Sequence, residues 1–189
     1  RRVIAVSGTH GKTSTTAMIT WMLENAGLKP GFLIAGSPKD FSISARIGKD
    51  EFFVIEADEY DTAFFDKRAK FIHYRPEVLV INNLEFDHAD IYSNLEEIQK
   101  QFHNLIRAMP SYGCLICPDE NKNIEQVLEL GVWSEVSKFG VDKKNSNYYE
   151  AIKEDYSSIR FHLDNNFEDI SWNLTGEYNV SNAMAALLV

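Results

Sequence analysis

The stretch VSGTHGKTSTTAM, beginning at Val6, constrains this chain more than any other feature. Residues Val3 to Val6 form a short apolar run that reads as a strand. Gly8 and Gly11 interrupt it, and a helical pattern follows from Thr13 to Ala26. A strand, a Gly-rich turn and a helix N-terminus in that order bring backbone N–H groups and the positive end of a helix dipole to one point, which is an anion site. Lys12 would reach the outer phosphates of a nucleotide, and the Thr13 hydroxyl would ligate Mg²⁺. Only Thr9 and His10 separate the two glycines, fewer residues than in the standard phosphate loop. A turn that merely joins strand to helix would use the same glycines. The Gly-Lys-Thr core in a strand-to-helix context favours a nucleoside triphosphate.

The rest of the chain fits a domain built around such a loop. GFLIAG, FSISARIG, EFFVIEADE, VLVINN and YGCLICP read as strands, the apolar ones nearly continuous, as parallel strands covered on both faces should be. MITWMLENAGLKPG reads as an amphipathic helix closing on Gly27, with Pro30 beyond it. LEEIQKQFHNLIRAM carries Leu95, Ile98, Phe102, Leu105 and Ile106 on one stripe, and NIEQVLELG is a further helix. From Lys138 the pattern changes to short alternating runs, SKFGV, NYYEAIK, SIRFHLD and EDISWNL, which suggest antiparallel pairing at one edge. The expected fold class is α/β: a mostly parallel sheet with flanking helices, of P-loop type, plus a small antiparallel extension. A length of 189 residues suits one such domain. Arg1-Arg2 leads straight into the first strand and the chain stops inside the helical run NAMAALLV, so a domain of a longer protein is expected.

Composition excludes some partners. A formal net charge of −9 argues against nucleic acid, although basic residues gather in FFDKRAKFIHYRP, where they could meet an anionic substrate or simply face solvent. No stretch is long and apolar enough to span a bilayer and Arg1 opens no signal-peptide pattern, which makes the cytoplasm the default. Cys114 and Cys117 form a lone C-x-x-C with no second pair; alternation along a strand would put them on opposite faces, as buried thiols rather than zinc ligands.

Ligands of open parallel sheets sit beyond the C-terminal strand ends, and three such ends carry chemistry. The first bears the phosphate loop. The second, FFVIEADEYD, ends in Glu56, Asp58, Glu59 and Asp61. The third, VLVINNLEFDHAD, delivers Asn82, Asn83, Glu85, Asp87 and His88. Glu56 is the first carboxylate after its apolar run and the candidate Mg²⁺ ligand; the four acids would equally suit a solvated turn. His88 is open between a structural role and a site role, since imidazole is not a favoured Mg²⁺ ligand.

Four motifs in order, SGTHGKTSTT, EADEYDTAFFDKR, NNLEFDHADIY and GEYNVSNAMAA, resemble the central domain of the Mur ligases, the ATP-dependent amide-forming enzymes of peptidoglycan synthesis. The resemblance covers nearly the whole chain. It implies that Gly8, Thr9, His10, Gly11, Lys12, Thr13 and Ser14 hold the ATP phosphates, with Lys12 on the β- and γ-phosphates. It implies Mg²⁺ at Thr13 and Glu56, a second magnesium near His88, and Asn179 and Asn182 near the nucleotide, Asn182 reading the adenine edge. Lys12, Glu56 and His88 would be the catalytic set. PGFLIAGSPKDF and EYDTAFFDKR resemble most the branch that joins the pre-formed tripeptide L-Ala-γ-D-Glu-meso-diaminopimelate to UDP-N-acetylmuramate. The alternatives are a relative that adds L-alanine alone, and an isolated nucleotide-binding module. A UDP-binding domain before Arg1 and a further domain after Val189 are implied, so the fragment alone would be inactive. Two departures stand out. Tyr178 occupies a place where many relatives have His, and Lys100 does not fall clearly in register with the carbamylated lysine of several relatives. A guanine-reading N-K-x-D is missing, because NKNI at Asn121 lacks the Asp.

Overall fold

The computed structural model describes residues 1–36, 38–86 and 91–189, so the expectations for Asp87 and His88 lie outside the described residues. Strand β1 (Arg2–Ser7) takes the middle of the sheet because it is apolar on both sides: Ile4 and Val6 are buried towards one face and Ala5 towards the other. Among the described residues there follow β2 (Gly31–Leu33), β3 (Ala45–Arg46), β4 (Phe52–Glu56), β5 (Asp61–Ala63), β6 (Asp66–Ala69) and β7 (Val78–Ile81). The remaining strands are β8 (Cys114–Pro118), β9 (Glu135–Gly140), β10 (Asn147–Ala151), β11 (Ser158–Leu163) and β12 (Asn166–Ser171). Helices are α1 (Lys12–Asn25), α2 (Leu95–Arg107), α3 (Lys122–Glu129) and α4 (Glu177–Leu187), with a 3₁₀ turn at Lys70–Tyr74.

The main sheet runs β12-β11-β10-β9-β8-β7-β1-β4-β2-β3, and β5 and β6 form a separate hairpin. Pairing is parallel from β2 through β4, β1, β7 and β8 to β9. The expectation of an antiparallel edge from Lys138 onward is corrected in one respect. Strand β9, the SKFGV run, pairs parallel to β8 and also parallel to β10, so antiparallel pairing begins only at β10–β11 and continues to β12. FSISARIG contributes only the two residues of β3, antiparallel to β2.

Helices α2 and α3 cover one face through Ile98, Phe102, Leu105, Ile106, Ile124 and Val127, packed on Leu79, Ile81, Leu115 and Cys117. Helices α1 and α4 cover the other through Ile19, Val180 and Met184, packed on Ile4, Val6, Val54, Val80 and Ile116. Cys117 is buried under the first layer and Cys114 borders the second, so both thiols are free and on opposite faces, as alternation predicts. The buried side of α1 differs from the amphipathic expectation: it presents Thr15, Thr16, Ile19 and Thr20. Thr16 and Thr20 donate to the carbonyls of Lys12 and Thr16 one turn back, which satisfies their hydroxyls inside the layer. The helix ends at Gly27 as expected: Gly27 N–H donates to Glu24 O and Leu28 N–H to Leu23 O, both at 3.0 Å. Among the described residues no helix is long and apolar enough to cross a membrane.

Candidate functional site

Register brings three strand ends together. Strand β1 pairs with β4 at Val6↔Glu56 and with β7 at Ser7↔Ile81, so Glu56 and Asn82 flank the loop that leaves β1. That loop turns on Gly8 (φ +124°) and Gly11 (φ +82°), backbone conformations that side chains rarely allow. Space is as restrictive as conformation. A Cβ at Gly8 would lie 2.8 Å from Asn83 O, and one at Gly11 would lie 2.5 Å from Asn182 Oδ1 and 2.8 Å from Asn82 Nδ2.

The loop is held from outside by asparagines. His10 N–H donates to Asn83 Oδ1 at 2.8 Å and Asn83 Nδ2 donates back to His10 O at 3.2 Å. Asn82 Nδ2 donates to Thr15 Oγ1 at 2.9 Å and lies 3.3 Å from Asn182 Oδ1. Glu85 N–H donates to Thr9 Oγ1 at 2.9 Å. Asn82 and Asn83 were visible in sequence only as two amides ending an apolar run; their use as the loop's scaffold was not.

Helices α2 and α3 are each capped by an asparagine, Asn94 and Asn121, that accepts a backbone N–H from the first turn. Helix α1 has no side-chain cap. Its first-turn N–H groups and dipole face the loop's concavity, the arrangement suited to phosphate oxygens. Thr13 and Ser14 are exposed at this end, and His10 is exposed on the loop.

Lys12 is folded back on its own loop. Its Nζ donates to Gly8 O at 2.6 Å and to Thr9 O at 3.4 Å, and lies 3.6 Å from Asp58 and 4.0 Å from Glu59. Thr13 Oγ1 donates to Glu56 Oε2 at 3.1 Å, and Ala35 N–H donates to Glu56 Oε1 at 2.7 Å. Glu56 is only 6% exposed, and burial pushes its carboxyl above the usual glutamate range against the lowering effect of those two hydrogen bonds. A buried carboxylate beside a threonine hydroxyl is an oxygen pair short of positive charge. Such a pair fits Mg²⁺, which takes one or two protein oxygens and keeps its remaining positions for phosphate and water. Among the described residues there is no group of three or more His, Cys, Asp and Glu that could hold a metal.

Beyond Ser14, a cavity of about 470 Å³ runs along α1, lined by Ser14, Met18, Trp21, Trp172, Leu174 and Asn179. Its size and largely apolar wall suit a flat heterocycle. Asn179, whose Nδ2 donates to Thr175 O, lines this cavity, whereas Asn182 is buried against Asn82 and Gly11. Tyr178 is exposed. Trp21 and Trp172 were not singled out from sequence, since one lies in a helix and the other just beyond a distant strand.

The loop, Glu56, Asn179 and Asn182 are thus neighbours in space; His88 lies outside the described residues. Comparison with known proteins gives the same frame. A chain from Haemophilus influenzae, UDP-N-acetylmuramate–L-alanyl-gamma-D-glutamyl-meso-2,6-diaminoheptandioate ligase, is 49% identical over 188 residues, covering 99% of this chain and 41% of that protein. A UDP-N-acetylmuramate–L-alanine ligase from Desulforapulum autotrophicum is 34% identical over 189 residues, 98% of this chain and 40% of its own length. The crystal structure of UDP-N-acetylmuramate:L-alanyl-gamma-D-glutamyl-meso-diaminopimelate ligase from Neisseria meningitides superposes with a TM-score of 0.91 at 46% identity, covering 98% of this chain and 60% of that one. This chain therefore spans about two fifths of the curated relatives it matches. Residues 6–189 match the model of the Mur ligase middle domain, and the chain belongs to the Mur ligase family.

Proposed function

We propose that this chain is the ATP-binding domain of a ligase that joins the tripeptide L-Ala-γ-D-Glu-meso-diaminopimelate to UDP-N-acetylmuramate. The observation that carries the nucleotide half is the uncapped α1 N-terminus behind Gly8 and Gly11, with Thr13 bonded to Glu56. The substrate half rests on similarity. Identity to the tripeptide-joining relative exceeds that to the alanine-joining one, which favours the tripeptide.

In this reading the loop N–H groups of Gly8 to Ser14 hold the β- and γ-phosphates, and Lys12 moves from its own carbonyls to the phosphate oxygens. Thr13 and Glu56 would hold Mg²⁺, which neutralises phosphate charge when bound. The family resemblance assigns His88 to a second magnesium. The muramyl carboxylate attacks the γ-phosphorus, the bond to the β-phosphate oxygen breaks, and ADP leaves. The tripeptide amine then attacks the acyl phosphate, and the tetrahedral adduct loses a proton and inorganic phosphate to give the amide. Lys12 and the loop act by positioning and charge stabilisation. The cavity beside Ser14 takes the adenine, with Asn179 at its edge, while Asn182 braces the loop at Gly11.

The substrates' binding surfaces belong to domains outside this chain, and turnover by the isolated chain would overturn that assignment. The deciding experiment is calorimetric titration with ATP–Mg²⁺ and GTP–Mg²⁺, beside Lys12→Ala. ATP binding that GTP does not reproduce and that the variant loses supports the site; retention by the variant refutes it. Product analysis of the full-length protein, offered alanine and tripeptide together, then identifies the amine substrate.

A further inference from the structure

Asp58 serves two lysines. Its Oδ1 lies 3.6 Å from Lys12 Nζ, and its Oδ2 lies 3.1 Å from Lys70 Nζ. The two cations arrive from different elements: Lys12 opens α1, whereas Lys70 follows the β5–β6 hairpin and begins the 3₁₀ turn. Lys70 is placed by its own backbone, whose N–H donates to Tyr60 O at 2.8 Å, and its ammonium lies 6.0 Å from the centre of the Tyr60 ring. Asp58 is a quarter exposed and Lys12 less so, which makes the shared carboxylate poorly solvated.

To reach a phosphate, Lys12 must leave Asp58. A carboxylate deserted in a half-buried site is unfavourable unless a second cation stays with it. Lys70 is that cation among the described residues. We infer that Lys70 is a positioning residue for nucleotide binding: it keeps Asp58 neutralised and in place, so that Lys12 can be transferred from its resting contacts to the phosphates. The inference rests on the nucleotide reading of the loop. It also gives the hairpin a role, because displacing β5–β6 would withdraw Lys70 and leave Lys12 as the cation on Asp58.

The test measures affinity of the full-length protein for ATP–Mg²⁺ in wild type, Lys12→Ala, Lys70→Ala, Lys70→Arg, Asp58→Asn and the Lys70→Ala/Asp58→Asn double variant. Lys70→Ala should bind about tenfold more weakly, within the couplings measured inside one ion-pair network. Lys70→Arg should bind within about threefold of wild type, because the cation is retained. The double variant should recover the affinity of Asp58→Asn, because Asp58 no longer holds Lys12 and the Glu59 contact at 4.0 Å is common to both variants. That recovery separates transfer of Lys12 from a general loss of structure or a direct contact of Lys70 with phosphate. Wild-type affinity in Lys70→Ala, or a double variant as weak as Lys70→Ala, would overturn the inference alone. No binding by wild type, or undiminished binding by Lys12→Ala, would overturn the loop reading and this inference with it.

Discussion

Thr13 Oγ1 donates to Glu56 Oε2 across 3.1 Å, a bond that joins the first turn of α1 to the end of β4 over 43 residues of sequence. Both groups are proposed to hold one cation, Mg²⁺, which would supply charge neutralisation to the phosphates. Thr13→Ala should lose the Mg²⁺-dependent part of ATP affinity, by roughly 10- to 100-fold as for other losses around a metal. Thr13→Ser should keep most of it. Titrations with and without Mg²⁺ separate the two variants, and equal behaviour of both would remove Thr13 from the metal site.

Glu56→Gln should trade function for stability. Burial raises the folded-state value of Glu56 above its ordinary one of about 4.3, so the proton is held more tightly in the folded chain than in the unfolded one. The stabilisation associated with the protonated form is complete below the unfolded value and is lost as pH rises through the raised folded value. At pH 7 to 8, free of nucleotide and metal, the glutamine variant should melt above wild type, and the gap should close towards pH 4. Thermal melts across that range check it; a gap that widens on acidification contradicts the sign. Metal-dependent ATP binding should fall in the same variant.

Gly11→Ala should be severe. Its added carbon would meet Asn182 Oδ1 at 2.5 Å and Asn82 Nδ2 at 2.8 Å in a left-handed conformation, and a loss of about 1–3 kcal/mol is expected from backbone strain before any clash is counted. Urea unfolding of the variant, paired with ATP titration, measures both consequences. A variant as stable as wild type would mean that the asparagines move aside freely.

Tryptophan emission can report the cavity beside Ser14. Trp21 and Trp172 line it, whereas Trp133 lies near His103, 6.1 Å between ring centres. ATP should change the emission of wild type and of Trp133→Phe alike, and the change should shrink in Trp21→Phe and Trp172→Phe. A response that survives both cavity substitutions would place the base elsewhere.

What could be read from sequence was what neighbouring residues determine together. Gly-Lys-Thr after an apolar strand specifies a loop and a helix start locally, and a carboxylate ending an apolar run, as Glu56 does, is placed at a strand's exit by the same alternation. The Gly27 helix end was legible for the same reason. What was missed depends on partners far along the chain. Asn82 and Asn83 become a scaffold only because β7 lies beside β1, and Asn182 joins them from a helix 100 residues later. The threonine face of α1 defeats a hydrophobic pattern, since its hydroxyls are satisfied by the helix's own carbonyls. Strand β9 read as an antiparallel edge because half-buried strands alternate whichever way their neighbours run. The DTAFFDKRA hairpin gave no turn signal, for its tip is Phe64-Phe65 rather than glycine or asparagine.

The contact between Asn82 and Asn182 sets an order of events during synthesis. The loop leaves the ribosome well before α4, yet an amide that closes against Gly11 belongs to α4, so the cradle is incomplete until almost the entire domain has been made. A nascent chain halted before α4 would expose the α1 layer and lack its nucleotide cradle. In the proposed reading, ATP stabilises only chains that have finished folding, by mass action on the native form. The ligand would thereby select completed domains over arrested ones, and protection of nascent chains from protease by ATP would begin only once α4 has left the exit tunnel.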